Sequence, residues 1–129
     1  MQLKLEQAGQ YTECFSRGLL SLAGHTPPEQ AIQAAAKFNV DISSHISQPL
    51  LRSDIDRAGL VLVMESQQRL HIGKMRPAQI GKCMLLSQLS DGREIPDPIG
   101  QDERFFEATY TQIAEYADSW VARFTGEQQ

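Results

Sequence analysis

The sequence has little cysteine, no long hydrophobic run and no excess of positive charge. Its two cysteines, Cys14 and Cys83, are too few for a disulfide scaffold and for a zinc site, since zinc needs about four ligands. The longest apolar run, residues 60–64, is far shorter than the roughly 20 residues that cross a bilayer. No basic-then-apolar signal segment opens the chain. We therefore expect reduced thiols, no metal, no membrane partner and a cytoplasmic location.

Acidic residues outnumber basic ones, 16 to 12, which gives a net charge of −4. This balance argues against a nonspecific nucleic-acid binder, which would need a basic face. The 129 residues are 41% hydrophobic, enough for one compact core. We predict a single domain over residues 1–129.

Two apolar segments predict strands. Residues 58–64 are apolar on both faces, the pattern of a strand buried in a parallel sheet, and residues 82–86 repeat it. Residues 11–16 predict a further short strand, and residues 1–9 favour a helix remnant that ends at a glycine. Helical patterns between the strands predict β-α-β units, hence an α/β fold with an open parallel sheet and helices on both faces.

Capping residues, prolines and apolar spacing predict helices in the rest of the chain. Thr26 is predicted to cap a helix through a T-x-x-E box that Glu29 completes. Residues 49–56 predict a short helix, and Ser66 is expected to cap one that Pro77 stops. Apolar residues at spacings of three and four predict a last helix between Phe105 and Phe124.

Five segments carry a resemblance to a known family. They are Ser-Arg-Gly-Leu at 16–19, Asn-Val-Asp-Ile-Ser-Ser-His at 39–45, Ala-Gly-Leu-Val-Leu-Val-Met-Glu at 58–65, Gly-Lys-Cys-Met-Leu-Leu at 81–86 and Ile-Pro-Asp-Pro at 95–98. In order and spacing they resemble the low-molecular-weight protein tyrosine phosphatases of bacterial type. The resemblance implies a hydrolase that needs no cofactor and acts on phosphotyrosine in proteins, with a bacterial tyrosine kinase among its expected partners.

The chain also departs from the family pattern. Arg17, Gln48 and Gln68 stand where the family usually has Ala, Arg and His. The family's C-x5-R-S loop is absent, because neither cysteine is followed six positions later by arginine. In the family this loop holds the nucleophilic thiolate at a helix N-terminus, where main-chain N–H groups cradle the phosphoryl oxygens. We therefore expect no nucleophile in these 129 residues.

The resemblance assigns roles to three other residues. Asp97 is expected to be the general acid that protonates the departing tyrosine oxygen, although an aspartate between two prolines is also an ordinary turn residue. His45 is expected to support the site by bracing the phosphate loop. Ser43 shares that network or, equally, is a solvated helix cap.

Neither cysteine is expected to replace the missing one. Cys14 and Arg17 form a C-x2-R pair at the end of a predicted strand, where no ring of N–H donors would face a phosphate. Cys83 lies in an apolar strand and is predicted to be a small buried side chain. The basic residues Arg52, Arg69, Lys74 and Arg76 form no motif and are predicted to be solvated surface.

The family's sheet order, 2-1-3-4, would make the absent first strand an interior one. Its absence would leave unpaired edges on both neighbours, so we expect an N-terminally incomplete domain, prone to aggregate. The pattern suggests a fragment or a misplaced start more than an evolved inactive relative. We expect an inactive or impaired tyrosine phosphatase; the alternatives are a non-catalytic protein that binds phosphotyrosine or a kinase and, less favoured, an arsenate reductase.

Overall fold

The computed structural model describes residues 13–19, 24–98 and 101–125. The predicted helix remnant at residues 1–9 lies outside these ranges. In the described part of the chain, no helix is both long and apolar enough to span a membrane.

Two parallel strands form the described sheet. β1 comprises Val61–Val63 and β2 comprises Cys83–Leu85, and the register places Val61 opposite Cys83. Both strands lie inside the segments that the apolar runs predicted, but each is only three residues long. This pairing confirms the prediction of a parallel sheet. Because the two strands run in the same direction, the chain must cross over between them.

The crossover from β1 to β2 is helical. α3 comprises Ser66–Met75 and is followed by a 3₁₀ helix, Pro77–Lys82, which leads directly into β2. The predicted stop at Pro77 is confirmed. The predicted cap is one residue off, because Glu65 is the N-cap and the Gln68 side chain accepts hydrogen bonds from the backbone N–H groups of Met64 and Glu65.

The helix predicted from Thr26 begins later than expected. α1 comprises Glu29–Ala36, its N-cap is Pro28, and no side chain caps it. The predicted capping box is wrong for a steric reason. A proline disfavours helical geometry in the residue before it, so Pro28 holds Pro27 outside the helix.

The short helix expected at residues 49–56 is present as α2, Arg52–Arg57. The carboxylate of Asp54 accepts a hydrogen bond of 3.0 Å from the backbone N–H of Leu51, the residue just before the helix. This bond satisfies a donor that helical hydrogen bonding leaves unpaired.

Residues 13–16, the described part of the predicted strand at 11–16, form no strand. Gly18 makes a single parallel bridge with Pro49, through bonds of 2.9 Å to Gln48 and from Leu50. Since a strand is defined by its pairing, the local residue types of this segment were not enough to predict one. Among the described residues, β1 pairs with β2 alone.

The core lies on both faces of the sheet. Ile55 of α2, Ile72 of α3, Val63 and Cys83 form one buried cluster. Leu86, Ile95, Tyr116 and Trp120 form the other, with Leu60 and Leu62 packed against it. Helices therefore cover both faces, and the predicted α/β architecture is confirmed.

α4 comprises Glu103–Thr125 and supplies much of the second cluster. Tyr116, Ala117 and Trp120 are buried along one side of it, as the spacing predicted, whereas Phe106, which was not part of the predicted stripe, is buried in place of Phe105. Phe105 and Phe124, at the two ends of the predicted stripe, remain 39% and 42% exposed. The spacing of the apolar residues thus predicted the buried side of the helix, whereas the two ends of α4 extend past the core.

Candidate active site

The segment that carries Asp97 is tied to the carboxyl end of β1. The backbone N–H of Ile95, a buried residue, donates to the carbonyl of Met64 at 2.9 Å. Glu94 accepts a 2.8 Å hydrogen bond from the backbone N–H of Ser66, and this bond lowers the pKa of Glu94. Ligands of open α/β sheets bind beyond the carboxyl ends of the strands. The exposed Asp97 therefore lies at the end of the sheet where a substrate is expected.

The loop between β2 and Asp97 is also held by α4. The indole N–H of Trp120 donates to the carbonyl of Leu86 at 2.6 Å, and the Ser87 hydroxyl donates to the carbonyl of Arg93 at 2.6 Å. Tyr116 contacts the carboxylate of Asp91. These hydrogen bonds anchor the chain at several points between Leu86 and Ile95, just before Asp97.

His45 lines a cavity of about 200 Å³ together with residues of the 16–19 motif. The described residues around this cavity include Ser16, Arg17, Gly18 and Ser47. His45 is exposed to solvent. Its backbone N–H donates a hydrogen bond to the carbonyl of Ile42 in a local turn. The structure therefore brings two of the sequence motifs, 16–19 and 39–45, to one place.

Ser43 is engaged with its own neighbour rather than with His45. Its hydroxyl donates to Oδ1 of Asp41 at 2.6 Å, and its backbone N–H bonds to the same oxygen at 2.9 Å. These two bonds lower the pKa of Asp41, with the hydroxyl contributing most. Neither Ser43 nor Asp97 is among the described residues that line the His45 cavity.

The Cys83 thiol lacks the surroundings of an activated nucleophile. Cys83 has no exposed surface, and burial raises the pKa of its thiol, against a weaker opposite effect of Arg69. Cys14 is half-buried in the segment without secondary structure, and no helix begins within the described residues that follow it, 15–19. A thiolate would need a helix N-terminus or nearby cations.

An ion-pair cluster that the sequence did not predict lies beside the His45 cavity. Arg17 Nε lies 3.3 Å from Oδ2 of Asp54, whose side chain is 8% exposed. Arg57 also pairs with Asp54, and both guanidinium groups stack on the ring of Phe15, at 4.8 and 4.2 Å. The one available signal was that Arg17 replaces the alanine usual at that position.

Arg69 is not the solvated residue that the sequence predicted. Its Nε donates to the carbonyl of Cys83 at 2.7 Å and one Nη donates to that of Ile80 at 3.1 Å. The guanidinium thus joins α3 to the start of β2. Arg76 forms an exposed bidentate salt bridge with Asp56, in which Nε and Nη2 donate to the two carboxylate oxygens at 2.9 and 3.0 Å.

Comparison with known proteins identifies the family. The family model described as low molecular weight phosphotyrosine protein phosphatase matches residues 1–129. The probable low molecular weight protein-tyrosine-phosphatase EpsP of Ralstonia nicotianae is 31% identical over 122 residues, which cover 95% of this chain and 83% of the relative. Wzb of Escherichia coli K12, a low molecular weight protein-tyrosine-phosphatase, is 30% identical over 113 residues, 88% and 77% of the two chains.

The structural comparison agrees with this match. The structure of Vibrio vulnificus Wzb in complex with benzylphosphonate is similar with a TM-score of 0.86 and 29% identity, over 93% of this chain and 85% of the other. Fold, motif order and family model all point the same way. This chain therefore belongs to the low molecular weight phosphotyrosine protein phosphatase family.

Proposed function

We propose that the site descends from one that hydrolyses phosphotyrosine in proteins, with Asp97 as general acid and His45 and Ser43 in support. We propose further that these 129 residues alone are inactive or impaired in the reaction. The relatives named as protein-tyrosine-phosphatases support the reaction class. The structure of Vibrio vulnificus Wzb contains benzylphosphonate. This compound joins a phosphonate to a benzyl group and so resembles the phosphorylated aromatic ring of phosphotyrosine.

The reaction divides into two parts, and the chain holds the groups for one. In the first step a thiolate attacks phosphorus, the S–P bond forms and the bond to the phenolic oxygen breaks. Asp97 would donate its proton to that oxygen, an effect worth about 10²- to 10⁴-fold in rate. Its exposed carboxyl at the carboxyl end of β1 suits the task. The phosphoryl oxygens would still need N–H donors and an arginine.

The state of Cys83 carries the proposal of impaired activity. A thiol with no exposed surface and a raised pKa is neither accessible to a phosphoryl group nor ionised at neutral pH. Cys14 has no arginine six positions later, and Arg17, three positions later, is paired with Asp54. We therefore propose that neither cysteine acts as the nucleophile.

Turnover of para-nitrophenyl phosphate by the 129-residue chain tests this proposal. We expect a rate no higher than that of the Asp97→Ala variant. A clear rate that Asp97→Ala abolishes would show that the chain builds a working site and that the proposal of impaired activity is wrong. Glu115→Gln, a change at an exposed acid of α4 that has no part in the proposed site, serves as the matched control.

A bacterial tyrosine kinase is the partner that we propose, by analogy with the tyrosine phosphatases the chain resembles. The cytoplasmic location and the incomplete domain stay predictions from the sequence. Burial of Cys83 speaks against the arsenate reductase alternative, which needs accessible cysteines to relay a disulfide. A pull-down with phosphorylated and unphosphorylated tyrosine peptides tests the binding alternative, which equal binding of both would remove.

A further inference from the structure

A groove with a volume of about 720 Å³ runs along β2, away from the His45 cavity. α3 forms one wall through Arg69, and α4 forms the other through Trp120 and Arg123. Between them β2 contributes Met84, which is 36% exposed. Pockets that hold organic ligands or peptide side chains have volumes of roughly 300–1,000 Å³. The groove is therefore large enough for more than one side chain.

The charge of the groove is opposite to that of the molecule. The described residues that line it include two arginines and no aspartate or glutamate, in a chain with 16 acidic and 12 basic residues. Neither arginine is in a salt bridge with a described carboxylate. Glu94 accepts a hydrogen bond from the backbone N–H of Ser66, one of the lining residues, and does not itself line the groove. The groove therefore favours an anionic occupant.

The arginines leave donors for such an occupant. Arg69 uses two of its five N–H donors on the carbonyls of Cys83 and Ile80, which fixes its guanidinium in the wall. Because Arg69 already covers the Cys83 carbonyl, an incoming strand could not extend the sheet by pairing with it. The occupant would instead be held by its side chains, with carboxylates on the guanidinium groups.

We propose that this groove binds an extended acidic segment of another protein, with carboxylates on Arg69 and Arg123 and an apolar side chain against Met84 and Leu89. The alternation of charged walls and an apolar floor matches a segment in which acidic and apolar residues alternate. This inference does not depend on the proposed phosphatase chemistry, since it involves none of Asp97, His45 and Ser43.

A fluorescence titration tests the inference, because Trp120 is the one tryptophan of the chain and lies in the groove wall. The probe is an acetylated Glu-Leu-Glu-Leu-Glu peptide, and its Gln-Leu-Gln-Leu-Gln counterpart is the control. We expect a saturable change with the acidic peptide, and binding about tenfold weaker in Arg123→Glu. Arg104→Glu, an exposed arginine of the same helix outside the groove, should bind as the unmodified chain does.

A milder variant, Arg123→Gln, with its fold checked by circular dichroism, separates lost binding from lost structure. It should also weaken binding while the spectrum stays unchanged. The inference would be overturned by equal binding of the glutamine peptide, by the absence of a saturable signal, or by equal affinity of Arg123→Glu and Arg104→Glu.

Discussion

The phenolic oxygen of Tyr116 lies 2.8 Å from Oδ1 and 2.9 Å from Oδ2 of Asp91, between α4 and the loop that leads to Asp97. The hydrogen bond raises the pKa of Tyr116, and burial adds to that shift. The pKa of Asp91 is lowered, first by the backbone N–H of Arg93 and then by Tyr116. This contact fixes the start of the candidate general-acid loop to the longest helix.

Removing the Tyr116 hydroxyl should loosen that loop. We expect Tyr116→Phe to lower the melting temperature by about 2–4 °C, because the buried ring remains while its charge-assisted hydrogen bond is lost. Thermal unfolding followed by circular dichroism measures the effect. In a double-mutant cycle with Asp91→Ala, the two effects should be less than additive. Full additivity would contradict the coupling.

The ionised form of Asp54 should matter below neutral pH. The pKa of Asp54 is lowered, first by the backbone N–H of Leu51 and also by Arg17 and Arg57, while burial opposes them. A carboxyl with a lowered folded-state pKa stabilises the fold above its unfolded pKa of about 3.9, and this contribution is lost as pH falls through the folded pKa. Asp54→Asn should therefore lower stability at pH 7 and weaken its dependence on pH below about 4.

Urea unfolding at neutral and acidic pH measures this prediction. Glu115→Gln, on the exposed side of α4, provides the matched control and should leave the acid dependence unchanged. If the free energy of unfolding fell as steeply with decreasing pH in Asp54→Asn as in the unmodified chain, Asp54 would not be responsible for the loss of stability in acid.

Arg69 should prove more important for stability than its sequence context suggests. Arg69→Lys keeps the charge but cannot reach two carbonyls with one planar group, so we expect a loss of about 1.5–3 kcal/mol. Arg52→Lys is the control, because Arg52 is exposed and makes one long contact, 3.4 Å to the carbonyl of Met75. Similar losses in the two variants, measured by urea unfolding, would contradict the role of Arg69.

The contrast between Arg69 and Arg76 shows what the sequence could not supply. Both are arginines of the same crossover, and nothing in the local pattern distinguishes the one that binds carbonyls in the groove wall from the one that pairs with an exposed aspartate. Their partners are 11 to 20 positions away in the chain. Such contacts depend on how the elements pack, which periodicity does not encode.

Local patterns were sufficient where one physical cause dominates. The apolar run before Met64 predicted β1 because a strand covered on both faces has no polar side, and Pro77 ended α3 because it disrupts helical bonding. Residues 11–16 were predicted to form a strand that the described residues 13–16 do not form, since pairing requires a neighbour in space.

The two cysteines should differ in reactivity. Cys83 is fully buried with a raised thiol pKa, whereas Cys14 is half-buried, so we expect iodoacetamide to label Cys14 first under native conditions. Labelling of Cys83 should require urea. Mass spectrometry of the digested protein measures both, and Cys14→Ser removes the faster reaction. Rapid native labelling of Cys83 would contradict its burial.

The most direct test is to look for the covalent intermediate itself. The 129-residue chain is mixed with a phosphotyrosine peptide, quenched in acid at short times and examined for a phosphoryl group on cysteine. The account predicts no adduct on Cys14 or Cys83, because Cys83 is buried and neither cysteine is followed by an arginine six positions later. A phosphocysteine at either position, lost on replacement of that cysteine by serine, would contradict it.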